Sequence, residues 1–179
     1  MNGLLALSRA IDGLNDRMAT LAKRAILLAC VISTTNALVR YLLNIGSNGF
    51  LEIQWYLFAA CVMLGAAQVL RVNEHVRVDI LYGLYPTRAK VWIDLLGLTF
   101  FLLPLTLTLA WLAWPIVERM YLTQEMSSNA GGLIRWPAMF TIPLGMGLVA
   151  LQGLSEIIKR VAWLMGRLHM DTHYERPLQ

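Results

Sequence analysis

The chain has 179 residues, of which 58% are apolar and 15% are charged, and its formal net charge is +4. A water-soluble domain of this size needs more charged surface, so the composition excludes an ordinary soluble globular protein. The two cysteines, Cys30 and Cys61, lie in apolar runs and form no CxxC pair, which excludes a disulfide-stapled secreted module and a zinc ribbon. The composition is that of a membrane protein.

Four apolar stretches are long enough to cross a bilayer as helices, because about 20 residues span a hydrocarbon core of about 30 Å. They cover residues 25–44, 50–70, 92–117 and 136–155. Their continuous apolar character predicts helices rather than the alternating strands of a membrane barrel. The predicted fold is therefore an all-α membrane protein, with residues 1–179 forming one membrane domain of four transmembrane helices.

Two segments outside the spans are amphipathic. Residues 1–22 carry an apolar stripe at alternating steps of three and four. The stripe consists of Leu4, Leu7, Ile11, Leu14, Met18 and Leu21, and the opposite side carries Ser8, Asp12, Asn15 and Asp16. This cytoplasmic helix is predicted to lie in the interface, to pack on a partner helix or to continue the first span. Residues 76–85 form an amphipathic cytoplasmic connector, which Pro86 ends because proline cannot continue a helix.

The basic residues indicate the orientation of the chain. Twelve of them lie in the N-terminal arm, in the connection between spans two and three, and in the tail 156–179. They are Arg9, Arg17, Lys23, Arg24, Arg71, Arg77, Arg88, Lys90, Lys159, Arg160, Arg167 and Arg176. The other side has only Arg119 and Arg135. By the positive-inside rule, both termini are predicted to be cytoplasmic.

The middle of each predicted span lacks ionisable residues. The mid-span neighbourhoods, residues 32–36, 61–65, 101–105 and 143–147, contain no Asp, Glu, Lys, Arg or His. Secondary transporters usually place ionisable residues or broken helices at this depth. The polar run 33–36 either binds an ion weakly or joins helices by hydrogen bonds. No catalytic, haem or metal-binding pattern appears, so neither an enzyme nor a cofactor is predicted. A membrane scaffold is favoured over a self-sufficient homo-oligomeric carrier or channel.

Two charges lie near the outer ends of the first two spans, which the short hairpin 45–49 joins. Arg40 and Glu52 are predicted either to pair with each other or to reach a partner subunit. Small residues around Gly65 and the proline Pro143 either admit a partner helix or are ordinary features of a self-packed four-helix bundle.

Several short pieces of the chain, in this order and spacing, resemble the small membrane subunit of tripartite ATP-independent periplasmic (TRAP) transporters, the DctQ-like small permease. They are Arg40-Tyr41, Leu51-Glu52, Leu64-Gly65-Ala66, Arg71, the stretch from His75 to Asp79, the outer connection 128–133 with Trp136-Pro137, and Ile142-Pro143-Leu144-Gly145 followed by residues 151–156. Members of the family often carry a second acidic residue beside the one matching Glu52, whereas Leu51 and Ile53 flank it here.

The resemblance implies a division of labour in the bacterial inner membrane. A periplasmic solute-binding protein would capture an organic acid, and a large permease subunit would move it in elevator fashion with a sodium gradient. The small subunit would brace the large one, with phospholipid held at the subunit interface. The structural or subunit-interface candidates are Arg40, Glu52, Gly65, Arg71, His75, Asp79 and Pro143. The identity of the solute cannot be predicted from this chain.

Overall fold

A computed structural model describes residues 2–72 and 85–168 of the chain. The elements in chain order are α1 (Asn2–Leu43), α2 (Asn48–Val72), α3 (Thr87–Gly97), a π-helical turn (Leu98–Leu102), α4 (Leu103–Thr123) and α5 (Trp136–Leu164). Across these two ranges there is no β-strand, only an isolated antiparallel bridge between Met126 and Ile134. The predicted connector 76–85 falls mostly outside the described residues, as do His75, Asp79 and the tail beyond residue 168.

Within the described residues, four helices are long and apolar enough to cross a membrane, which confirms the predicted number of spans. The third is the continuous run Thr87–Thr123, in which the π-helical turn lies directly before Pro104. Proline has no backbone N–H to donate to the preceding turn, and such a gap in the helical ladder favours a local change of pitch. The chain remains helical through this turn, and the Thr106 hydroxyl donates to the Leu102 carbonyl over 2.8 Å.

Helix α5 lies at the centre of the fold. α1 and α2 pack against each other and against α5, and α3, the π-helical turn and α4 also pack on α5. The backbones of α2 and α5 approach each other closely at Gly145, where an added Cβ would lie 2.7 Å from both the Cβ and the carbonyl oxygen of Met63. Because α5 separates the hairpin of α1 and α2 from α4, the outer faces of these three helices remain open.

The N-terminal segment differs from the expected amphipathic helix in its packing. It is continuous with the first span in one helix of 42 residues. The polar side chains Ser8 and Asn15 are buried, at 2% and 0% exposure, whereas Leu7 and Leu21 of the apolar stripe are about half exposed. Of the predicted alternatives, the structure shows the continuation of the first span, with the polar residues Ser8 and Asn15 facing the bundle. α5 also extends to Leu164, so the first part of the predicted tail is helical.

Candidate functional site

The described residues form two polar clusters, and the first, the outer cluster, surrounds Glu52 near the start of α2. The Glu52 side chain is only 2% exposed. One of its oxygens accepts hydrogen bonds from the Ser127 hydroxyl and from the Asn129 side chain, the latter over 2.8 Å. The other oxygen accepts from the backbone N–H of Leu133 over 2.6 Å. Charge-assisted bonds of this kind are the strong ones, so Glu52 fixes the outer loop between α4 and α5.

Further contacts fasten the same loop to α2. The Asn48 side chain donates to the Ala130 carbonyl and the Tyr56 hydroxyl donates to the Ile134 carbonyl, each over 3.0 Å. Gly132 admits no larger residue, because an added Cβ would lie 2.6 Å from the Ser127 Cβ and 2.9 Å from a Glu52 oxygen. The loop therefore forms a rigid cap on the outer end of the bundle.

One of the two alternatives predicted for Arg40 and Glu52, the mutual ion pair, does not form. Both residues lie in the described range 2–72, the side chain of Arg40 is exposed, and no ion pair joins the two. The three loop donors already occupy both oxygens of Glu52. A carboxylate that is satisfied by loop donors needs no cation beside it, so Glu52 is paired without Arg40.

The inner cluster joins α1 to α5 at the opposite end of the bundle. Ser8 and Ser155 share a hydrogen bond of 2.7 Å between their hydroxyls, and the Asn15 side chain donates to Gln152 over 2.7 Å. Asp12 accepts from Gln152 over 2.9 Å and from Ser155 over 2.8 Å. Buried polar groups are tolerated when they are paired in this way, so the polar side of α1 lies inside.

Charged side chains extend the inner cluster to the other helices. Lys159 lies 2.8 Å from Asp12, and Arg71 of α2 pairs with Asp16. On α5 the Arg160 guanidinium lies 2.6 Å from Glu156 and 3.1 Å from Asp94 of α3. These ion pairs tie four helices together at one level.

The electrostatics of the inner cluster favour the charged state of Asp12. Burial raises the pKa of this carboxyl, but hydrogen bonds from Lys159, Gln152 and Ser155 outweigh burial, and the resulting pKa lies below its usual value of 3.8. Asp12 lies on α1 well before the predicted first span at residues 25–44. The inner cluster thus holds its carboxylate ionised across the physiological pH range.

The two clusters are separated by about one hydrocarbon thickness. Glu52 and Arg71 are 19 residues apart on α2, which corresponds to about 29 Å at 1.5 Å per residue. Between them the core consists of Ala22, Leu64, Ala67 and Leu148. Small residues let the helices approach closely, and Gly65 accordingly packs on Ala22. Small residues of α2 such as Gly65 and Ala67 thus pack against other helices of the same chain.

The structure places the remaining predicted candidates in different environments. Arg71 belongs to the inner cluster, and Gly65 lies in the contact of α1 with α2. Pro143 is buried in α5, two residues before the close approach at Gly145. Sequence reasoning missed Asp12, Gln152, Glu156 and Arg160. The available signal was that polar residues recur on α1 and on α5 at steps of three or four, which places each set on one helix face.

An apolar groove of about 910 Å³ runs along α4 and α5. Trp111 and Trp114 line it from α4, Pro143 and Gly147 line it from α5, and Glu118 lies at its outer end. No three His, Cys, Asp or Glu residues come together as metal ligands within the parts of the chain that the structure describes. The two polar clusters can thus hold the helices in fixed positions, while the helices expose apolar faces to their surroundings.

Comparison with known families assigns the chain. The family described as tripartite ATP-independent periplasmic transporters, DctQ component, matches residues 29–162. No curated protein and no solved structure matches the chain. The matched range covers well over half of the chain and includes Glu52, Arg71 and the outer loop. The chain therefore belongs to the DctQ family, a family of transporter components, and is the small permease subunit of a TRAP transporter.

Proposed function

We propose that this chain is the fixed, bracing subunit of a sodium-driven uptake system in the bacterial inner membrane. In this proposal, a periplasmic solute-binding protein delivers an organic acid to a large permease subunit, which moves it across the membrane in elevator fashion. The small subunit holds the stationary part of the large one and carries neither solute, sodium nor a cofactor. Both of its termini lie in the cytoplasm.

The observation that carries this proposal is the distribution of buried polar groups. Among the described residues, the buried ionisable side chains are Glu52, Glu156 and Arg160, and all three belong to the outer or inner cluster. The other buried polar atoms between the clusters, in the described part of the chain, are uncharged: the Thr106 hydroxyl bonds to its own helix, and one side-chain atom each of Gln54 and Gln68 on α2 has no partner within the chain. A subunit that itself binds solute and ions usually needs ionisable groups buried at this depth.

The outer loop supports a role in receiving the binding protein. Its backbone is held by Glu52 and Asn48, so the surface it presents is preorganised and a partner has little ordering entropy to supply on docking. The exposed aromatic and aliphatic side chains of α4 support contact with membrane lipid, and phospholipid at the subunit interface belongs to the same proposal.

The experiment is reconstitution with omission of single components. The large permease subunit and the binding protein of the same transporter are placed in vesicles with a sodium gradient, with and without the chain, and a panel of radiolabelled carboxylates is offered. We expect uptake only with all three components and stoichiometric co-purification of the large subunit with the tagged chain. Full uptake without this chain would overturn the proposed bracing role.

A further inference from the structure

The packing of Ala22 fixes the position of α1 along the bundle axis, relative to α2 and α5. Ala22 packs against Leu64 and Ala67 of α2 and Leu148 of α5, and it lies 3.8 Å from the position that a Cβ would take on Gly65. Ala22 is therefore level with Leu64 rather than with the cytoplasmic end of the bundle. The contact of Arg71 with Asp16 shows the same register one and a half turns lower.

This register brings basic residues of α1 to membrane depth. Leu64 lies 12 residues after Glu52 and seven before Arg71 on α2, which corresponds to about 18 Å and about 10 Å from the two clusters. Lys23 and Arg24 directly follow Ala22 and therefore lie between the clusters. The sequence predicts them on the cytoplasmic side of a span beginning at residue 25, whereas the packing of Ala22 places them farther along the bundle than the inner cluster.

Arg24 belongs to a continuous exposed seam along α1. Eight residues recur at alternating steps of four and three, a repeat of 3.5 residues that keeps one helix face toward one partner helix. They are Arg17, Leu21, Arg24, Leu28, Val31, Thr35, Leu38 and Leu42, and every one is exposed. We call this set the α1 seam. It faces away from α2 and α5, which contact α1 through buried residues such as Asn15, Ala22 and Ala29.

The two arginines of the α1 seam indicate the chemistry of the partner that binds there. Within the described residues, neither Arg17 nor Arg24 makes an ion pair or a side-chain hydrogen bond. A bare guanidinium is costly in hydrocarbon. Arg24 is eight residues from Asp16 on α1, which is about 12 Å along the helix. The arginine side chain is shorter than this distance, so it does not reach a lipid phosphate at the level of Asp16. A carboxylate on a neighbouring helix would satisfy the Arg24 guanidinium at this depth, because the two groups form paired hydrogen bonds.

We propose that the α1 seam is the docking surface for a transmembrane helix of the large permease subunit, and that this helix carries an Asp or Glu opposite Arg24. The inference rests on the proposed bracing function, which supplies the partner. Apolar seam residues such as Leu28 and Val31 pack on the partner helix, and the ion pair fixes its register.

The test uses the full chain co-expressed with the large subunit in native membranes. A photo-crosslinking amino acid replaces Val31 in the α1 seam, and Trp111 on the exposed face of α4 serves as the matched control. We expect ultraviolet light to join the large subunit to position 31 at least tenfold more efficiently than to position 111. In separate samples, Arg24→Glu is expected to lower co-purification of the large subunit at least tenfold, whereas Arg9→Glu, on the cytoplasmic part of α1, leaves it unchanged.

Each result decides the inference. Capture of the large subunit from position 111 alone overturns the α1 seam and leaves the bracing function standing. Capture of phospholipid alone at position 31 also overturns the seam. Capture from neither position, together with no co-purification, overturns the bracing function as well. Normal co-purification of the large subunit with Arg24→Glu would refute the inferred carboxylate opposite Arg24. The crosslinking experiment uses a chain with Arg24 unchanged, so its result does not depend on whether Arg24→Glu folds.

Discussion

Gly145 offers a sharp test of the packing, because a single methyl group added there meets backbone rather than a flexible side chain. Its added Cβ would lie 2.7 Å from the Cβ and from the carbonyl oxygen of Met63, whereas ordinary contacts begin at 3.4 Å. Gly147, two residues further along α5, has no neighbouring atom within 4 Å of the corresponding position. Gly145→Ala and Gly147→Ala are therefore the same chemical change in two different environments.

The expected difference follows from two opposing effects. Both variants gain up to about 1 kcal/mol of helix propensity, since alanine favours the helix over glycine. Only Gly145→Ala must also separate α2 from α5 by about 0.7 Å, and overpacking of this kind costs about 1–3 kcal/mol. Gly145→Ala should thus be less stable than Gly147→Ala by about 1–3 kcal/mol, which corresponds to about 2–12 °C in Tm for a chain of this length.

The measurement is thermal unfolding of each purified variant in the same detergent, followed by intrinsic tryptophan fluorescence. We expect Gly147→Ala to unfold at or above the temperature of the unchanged chain and Gly145→Ala below both. Equal transition temperatures for the two variants would show that α2 and α5 do not meet at Gly145, and the packing described around α5 would be wrong.

Three further predictions concern the polar clusters. Glu52→Gln replaces one accepting oxygen by an NH2 group that faces donors of the outer loop, so the loop should be held less firmly. Limited proteolysis should then cut the outer loop faster, whereas Glu118→Gln at an exposed site should have no effect. Arg160→Met removes the guanidinium that joins Glu156 to Asp94 of α3 and leaves Glu156 with Lys159, so it should lower stability in detergent unfolding by about 1–3 kcal/mol, with Arg167→Met as the control; an equal loss in both would refute the pairing. Because the folded-state pKa of Asp12 is lowered, its stabilisation is complete above pH 3.8 and is lost as the pH falls through the lowered pKa. Asp12→Asn should therefore flatten the acid limb of the stability profile, and an unchanged limb would exclude Asp12 as its source.

The number and approximate positions of the membrane helices could be predicted from the sequence, because each apolar run reports its own preference for hydrocarbon. The register of α1 could not, since hydropathy treats every helix separately. In the structure the contact of Ala22 with Gly65 and Leu148 sets the register, and close packing of small residues outweighs the apolar run beginning at residue 25.

The polar clusters were also beyond prediction in most respects, because their partners are remote in sequence. Asn15 and Gln152 are 137 residues apart, and Glu52 finds its backbone donor at Leu133. An amphipathic pattern indicates that one side of a helix is polar, but only the partner decides whether that side meets water or another helix. The role of Glu52 as a loop anchor was therefore hidden, although its importance was predicted.

Transport by this chain alone is the most direct test of the account. The purified chain is reconstituted by itself into vesicles, a sodium gradient is imposed, and uptake of radiolabelled sodium and of the carboxylate panel is followed beside protein-free vesicles. The bracing role predicts that both sets of vesicles take up label at the same rate, and that adding the large subunit and the binding protein creates sodium-driven uptake. Sodium-coupled uptake of a carboxylate by the chain alone would contradict the central claim.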